Sequence, residues 1–150
     1  MSLSAKIVAP DEAPALTPFG LQMRVMLSTA DTGGKFSAIH CIHRPGEGPP
    51  PHRHHAQQEY FLVLSGTYRV RVGEAPERVV GPGTMIFIPE NTVHSFSNCG
   101  ETDAVMIDWS IPGGQDAYFQ QIDALQAGAG FSGDAIAAVN REHATEFLGH

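Results

Sequence analysis

The chain of 150 residues is long enough for one domain that buries a core without metal or disulfide cross-links. Hydrophobic residues make up 42% and charged residues only 17%, a balance that argues against intrinsic disorder. The net charge of −7, without any run of basic residues, argues against nucleic acid and anionic membrane surfaces as partners.

The N-terminal segment and the cysteines indicate the cellular compartment. Residues 1–20 lack the apolar stretch of a secretory signal, and no apolar run in the chain reaches the length of a membrane span. In the absence of an export signal, Cys41 and Cys99 are expected to stay reduced rather than to form a disulfide. We therefore predict a cytoplasmic protein with no membrane partner.

Short apolar runs separated by glycine and proline turns predict an all-β domain that follows a Pro-rich N-terminal arm. Strands are predicted at 21–29, 35–43, 59–66, 67–73, 84–90, 92–98 and 103–112, with one more short strand within 74–83. The apolar runs at 59–66 and 84–90 are expected to be buried strands. Strands of this length and spacing favour a sandwich or barrel over a parallel α/β sheet.

The C-terminal part of the chain changes from strands to helices. Phe119, Ile122 and Leu125 recur at helical spacing and predict a short amphipathic helix. A second helix is predicted within 132–147, with Ser132 as its N-cap. We therefore expect one domain in three parts, namely an N-terminal arm and strand (1–34), a β-barrel (35–112) and a helical tail packed on the barrel (113–150).

Three histidines and a glutamate form the most informative pattern in the sequence. His52 and His54 share one face of an extended segment, because the prolines at 49–51 exclude a helix and strand side chains alternate. Glu59 opens an apolar strand, where a carboxylate is costly unless a cation compensates it. Together with His94, these residues form a suitable ligand set for a first-row divalent metal. A polar core without metal is the alternative.

The same residues fall within two recognisable motifs. The stretch from Gly46 to Gly66 resembles the first cupin motif, G-x5-H-x-H-x4-E-x6-G, at every fixed position. The stretch from Gly83 to Asn98 resembles the second motif, G-x5-P-x-G-x2-H-x3-N, except that Asn91 replaces the usual glycine. Asparagine tolerates a left-handed backbone better than most residues, so we expect the turn to persist.

The resemblance implies an all-β cupin fold, a double-stranded β-helix or jelly-roll barrel, here with a short helical C-terminal tail. Weaker similarity at 29–37, 111–122 and 146–149 is to single-domain cupins of the quercetin-dioxygenase-like type. The family also implies a homodimer, often paired through an N-terminal strand that residues 5–30 would supply here.

For the site, the resemblance implies one divalent transition metal per chain, held by His52, His54, Glu59 and His94. The metal is Fe, Mn, Ni, Cu or Zn, since this ligand set accepts each of them. Glu59 is also a candidate catalytic base that takes a proton from a substrate hydroxyl.

Three hypotheses for function follow. The first is a metal-dependent dioxygenase that acts on a small enol or phenolic substrate. The second is a non-redox isomerase, lyase or cyclase that uses the same metal, and the third is a non-catalytic module that binds a small ligand. A sugar-phosphate substrate is disfavoured, because Arg53, Arg69 and Arg71 are the few basic candidates and two of them lie on the outer face of their strand.

The remaining candidates surround the metal ligands. Phe96, Tyr68 and Met106 are predicted to line an apolar substrate pocket, with ordinary core packing as the alternative. Met85, Phe87 and Trp109 are expected in the core. His55 points away from its neighbours and is expected at the rim. His40 and His43 lie on opposite faces of an earlier strand, where structural roles are expected and a place beside the pocket is the alternative.

Overall fold

A computed structural model describes residues 2–128 and 130–148, and within these ranges the chain forms eleven strands and two α-helices. The strands of the barrel are β1 (Ala15–Leu16), β2 (Gln22–Leu27), β3 (Ser37–His43), β4 (His52–His54), β5 (Gln58–Ser65), β6 (Tyr68–Val72), β7 (Arg78–Val80), β8 (Met85–Ile88), β9 (His94–Asn98) and β10 (Ala104–Ile111). The tail contains α1 (Gln115–Ala127), α2 (Gly133–Glu142) and β11 (Thr145–Phe147). The last two residues of the predicted tail, 149–150, lie outside the described ranges.

The strands form two antiparallel sheets that face each other. One sheet has the order β1-β2-β3-β10-β5-β8, and the other has the order β11-β4-β9-β6-β7. Apart from the pairs β1-β2, β2-β3 and β6-β7, neighbouring strands are distant in sequence, as in a jelly roll, and the predicted jelly-roll barrel is confirmed.

The interior between the sheets is filled by alternate residues of each strand. On β10, the side chains of Ala104, Met106, Asp108 and Ser110 are buried and their neighbours are less so. Strand β3 alternates in the same way, and its Cys41 pairs with Met106 across the ladder. Half of the inward residues on these two strands are polar (Ser37, His43, Asp108 and Ser110), and they mark places where the interior has another role.

Strands β5 and β8 correct an expectation, since neither is buried on both faces. Met85 and Phe87 on β8 are 55% and 51% exposed. On β5, Leu64 is 44% exposed. The prediction was wrong because only one face of this antiparallel sheet packs on the core, so apolar residues on the other face remain accessible to solvent. On that outer face, Tyr60 stacks on Trp109 at 5.6 Å and lies 5.1 Å from Phe87 between ring centroids.

The turn between β8 and β9 places the metal-binding segments side by side. Asn91 has φ 64°, which is the left-handed conformation expected where the motif usually has glycine. Its backbone N–H donates to the carbonyl of His54 at 2.8 Å. The turn is thereby joined to β4, and His52 pairs with His94 in the adjacent ladder.

The tail closes against the barrel through helices and through a strand that the sequence did not reveal. Ser132 caps α2 as predicted, since its Oγ accepts from the N–H of Ala135 at 3.1 Å. The helix ends at Glu142, however, and β11 then pairs antiparallel with β4, with Thr145 opposite His54. None of the described helices has the length and apolarity that a membrane crossing needs.

Candidate metal centre

The three histidines and the glutamate of the cupin motifs meet inside the barrel. His52 and His54 project from β4, His94 from the neighbouring β9, and Glu59 from β5 in the opposite sheet. All four are buried, and one potential ligand atom from each lies within 4.8 Å of the others. The arrangement suggests a metal site that joins the two sheets.

Two of the histidines are oriented by the backbone just before them. His52 Nδ1 lies 2.9 Å from the carbonyl oxygen of Pro50, and His94 Nδ1 lies 2.9 Å from the carbonyl oxygen of Thr92. A carbonyl only accepts hydrogen bonds, so each Nδ1 donates. In the neutral ring the proton is then on Nδ1, and Nε2 keeps a lone pair for a metal.

The third histidine is oriented by the tail. His54 Nδ1 lies 3.0 Å from Thr145 Oγ1, which lies 3.2 Å from the carbonyl oxygen of His143. The hydroxyl proton goes to that carbonyl, so Thr145 accepts from His54. The proton of the neutral His54 ring is thus also on Nδ1, and its Nε2 lone pair points away from Thr145.

The contacts of Glu59 fit a cation between these groups. Its Oε1 lies 2.6 Å from His54 Nε2 and 3.1 Å from His94 Nε2. His54 Nε2 is buried and makes no well-directed hydrogen bond, so its lone pair faces a carboxylate oxygen. Two acceptors this close repel each other unless a proton or a metal ion lies between them.

The pKa values of the same groups are shifted by burial and by their neighbours. Burial lowers the pKa of His52 to about 4, so this imidazole is neutral at pH 7. Burial would raise the pKa of Glu59, but the neighbouring His54 and His94 outweigh it and hold that pKa well below its usual value. Burial likewise opposes protonation of His54, yet the Glu59 carboxylate raises its pKa on balance. In the apoprotein a proton thus takes the place of the cation.

Asp108 is a second buried carboxyl group that sequence reasoning missed. It is 7% exposed, lies on β10, and has its Oδ1 buried without a hydrogen-bond partner among the described residues. Burial and the nearby Glu59 carboxylate raise its pKa well above the usual value. The sequence could have indicated this position, because side chains alternate along β10 and Asp108 therefore points to the same inner face as Met106.

The cluster opens into a cavity of about 470 Å³ between the sheets and the tail. Its walls are largely apolar and aromatic, with Phe61, Phe96 and Met106 from the barrel and Tyr118 and Phe119 from α1. Among the described residues, no lysine or arginine lines it. Such walls suit an apolar ligand with few charges.

The predicted pocket residues have different positions. Phe96 and Met106 line the cavity, whereas Tyr68 does not. Tyr68 is completely buried behind His43, and its hydroxyl lies 2.8 Å from His43 Nδ1. His43 is the one that lines the cavity, while His40 has the opposite parity on β3. The alternative of a place beside the pocket therefore holds for His43.

The remaining candidates lie away from the cavity. His55 is largely exposed and contacts Glu146 Oε2 at 2.9 Å, in keeping with a rim position. Arg69 and Arg71 are exposed and pair with Glu77 on the outside of the barrel. Cys41 and Cys99 are both free thiols, as expected.

Comparison with known proteins agrees with this architecture. A family model described as a cupin domain matches residues 40–110. Protein SchB of Streptomyces halstedii is 30% identical over 105 residues, which cover 69% of this chain and 75% of SchB. The chain belongs to the cupin superfamily.

Other similarities to this cupin are partial or structural. Mannose-1-phosphate guanylyltransferase RfbM of Salmonella typhimurium is 37% identical over 100 residues, which are 66% of this chain but only 20% of that enzyme. The structure of KdgF from Halomonas sp. superposes with a TM-score of 0.66 and 22% identity, over 76% of this cupin and 99% of KdgF. At that identity the likeness concerns the fold.

Proposed function

We propose that this cupin is a metal-dependent dioxygenase of the quercetin-dioxygenase-like type, which inserts O2 into a small enol or phenolic substrate. The observation that carries the proposal is a cluster of three histidines and a glutamate on the wall of an apolar, aromatic-lined cavity. At about 470 Å³, the cavity has the volume of small-molecule sites, which is roughly 300–1,000 Å³.

The donor set fits a divalent transition metal. His52, His54 and His94 would provide neutral Nε2 atoms and Glu59 a carboxylate oxygen, a combination that accepts Fe, Mn, Ni, Cu or Zn. A metal held there supplies a Lewis acid that polarises and orients an enol or phenol oxygen.

The protein groups around the metal have distinct tasks in this proposal. Glu59, whose carboxylate oxygen lies beside His54 and His94, accepts the proton of the substrate hydroxyl. Phe61, Phe96 and Met106 enclose the apolar body of the substrate and keep water out. The lack of lysine and arginine among the described lining residues favours a neutral ring system over a phosphorylated sugar.

The test combines metal analysis with oxygen uptake. Protein purified without oxygen is assayed for metal and then mixed with flavonols and enediols in an oxygen electrode. We expect stoichiometric metal and substrate-dependent uptake in the wild type, and loss of both in His94→Ala. His40→Ala is the matched control and should retain both, because His40 lies on the outer face of β3. Uptake that survives His94→Ala would refute the proposal.

A non-redox isomerase, lyase or cyclase is the second candidate. It is favoured by Asp108, a second buried carboxyl group on the cavity wall whose Oδ1 has no partner among the described residues. Such an enzyme would turn over without oxygen and would tolerate zinc. Saturable binding with no product under either condition would indicate a non-catalytic binding module instead.

The cytoplasmic location and the homodimer stay predictions. Sedimentation of the purified protein tests the dimer, and Ile7→Asp, at a fully exposed position of the N-terminal segment, tests whether that segment supplies the contact.

A further inference from the structure

The cavity has a second polar group in addition to the metal ligands and Asp108. His43, the last residue of β3, is 2% exposed and lines the cavity wall. Its Nδ1 lies 2.8 Å from the hydroxyl of Tyr68. Its Nε2 has no hydrogen-bond partner among the described residues. His43 Nε2 is not among the solvent-excluded atoms without a partner, so it opens onto the cavity, where a ligand can reach it.

The contact with Tyr68 determines what His43 offers to a ligand. The Tyr68 side chain is completely buried, and His43 Nδ1 is the only acceptor that its hydroxyl has among the described residues. A buried hydroxyl donates where an acceptor is available, so the proton of the neutral imidazole is on Nε2. His43 therefore presents an N–H donor.

The position of His43 is given by strand β9. His94 and Asn98 are four residues apart on this strand, which corresponds to about 13 Å at a rise of roughly 3.2–3.4 Å per residue. Asn98 Nδ2 donates to the His43 carbonyl at 2.9 Å, and the His43 ring meets Phe96 edge to face at 5.3 Å. His43 thus lies one to two strand repeats beyond the metal ligands, or roughly 7–13 Å along the barrel.

Apolar rings occupy the interval between the two polar ends. Phe96 lies 5.2 Å from Phe61, and Phe61 lies 6.4 Å from His94, all between ring centroids. Both phenylalanines line the cavity. A ligand that reaches from the metal to His43 must therefore present an apolar, flat middle section.

We propose that His43, oriented by Tyr68, is a second ligand-binding residue that selects elongated aromatic molecules with a hydrogen-bond acceptor at the end remote from the metal. The proposal rests on the proposed function in that the first oxygen of the ligand binds at the metal centre. It does not depend on whether the bound molecule then reacts with oxygen.

The experiment measures binding of two probes to zinc-loaded protein without oxygen. The probes are 3-hydroxyflavone and 3,4′-dihydroxyflavone, which differ only in the oxygen at the remote end. We expect the wild type to bind the dihydroxy probe about three- to tenfold more tightly, the effect of one neutral hydrogen bond. In His43→Leu this preference should disappear while affinity for 3-hydroxyflavone and zinc content stay unchanged.

Two further variants separate recognition from packing. His43→Gln retains an N–H donor and should keep part of the preference, whereas Tyr68→Phe releases the imidazole and should reduce it. A preference that survives His43→Leu, a wild type that does not distinguish the probes, or a wild type that binds neither would overturn the proposal. Failure of the dioxygenase proposal looks different, because oxygen uptake is then absent while the probe preference remains.

Discussion

Two regions hold the histidines of the candidate metal centre. They differ in how far along the sequence the group that orients each histidine lies from it. His52 and His94 are each oriented by a backbone carbonyl two residues earlier. His54 is oriented by the hydroxyl of Thr145, which is 91 residues later. The first region needs only local chain geometry, whereas the second requires that β11 dock on β4. The tail is therefore part of the site as well as its cover.

The largest expected effect concerns the carboxylate that contacts both regions. Glu59→Gln replaces the charged ligand that lies beside His54 and His94 with a neutral amide, so we expect metal content to fall well below one per chain. In the apoprotein the pKa of His54 should fall, because Glu59 raises it. Elemental analysis and histidine NMR measure the two effects. Glu90→Gln, an exposed change in the nearby turn, is the control.

The second prediction concerns how protein stability depends on pH, and it compares His43 at the far end of the cavity with His52 at the metal end. Burial lowers the pKa of His43 to about 4, below the usual 6.5, so the unfolded chain binds more protons between these values. Apoprotein stability should fall as pH drops from 6.5 to 4, by about 3 kcal/mol from His43. His52 has a similar shift and adds to the loss.

Denaturant unfolding at a series of pH values measures the slope of the unfolding free energy against pH between 6.5 and 4. In His43→Leu about half of the slope should disappear, because His52 still resists protonation. An unchanged slope in that variant would show that His43 does not titrate as its burial requires.

The third prediction separates the two kinds of anchor. Thr145→Val removes the acceptor of His54 without changing side-chain shape, and loss of such a partner typically weakens metal affinity about 10- to 100-fold. Thr145→Ser should restore it. Thr92→Val is the matched control, since His94 is bound by the Thr92 carbonyl and not by its hydroxyl. Competition titration with a zinc chelator measures all three, and equal effects at both positions would contradict the distinction.

The smallest effect concerns packing of the tail. Phe147 stacks on His52 with ring centroids 5.3 Å apart, so Phe147→Ala should lower the free energy of unfolding by about 1 kcal/mol for the lost ring pair. Phe131→Ala, at an exposed site between the helices, should change it little. Urea unfolding of the apoproteins makes the comparison, and similar values for both variants would show that β11 does not rest on His52.

Prediction from the sequence succeeded where chain geometry is local. His52 and His54 share a face because strand side chains alternate, and the motif spacing associates them with Glu59 and His94. The turn at Asn91 and the cap at Ser132 were predicted for the same reason, since each depends on one residue's own backbone or side chain. Most strand positions follow from apolar runs between turns.

Prediction failed where a partner strand or layer decides the outcome. Strand β11 has three residues, too few for a periodic pattern, and forms because β4 offers a ladder. Phe87 is apolar yet exposed, because it lies on the outer face of its sheet, whose inner face packs on the core. Tyr68 was expected on the pocket wall, but His43 stands in front of it.

The sequence by itself therefore determined the cupin fold and the identity of the candidate ligands, because both depend on residue type and short-range spacing. Only the tertiary structure decided that Thr145 orients His54, that Asp108 adjoins Glu59, and that His43 faces the same cavity. These contacts join residues from distant strands and depend on how two sheets pack. The spacing of residues along the chain does not determine that packing.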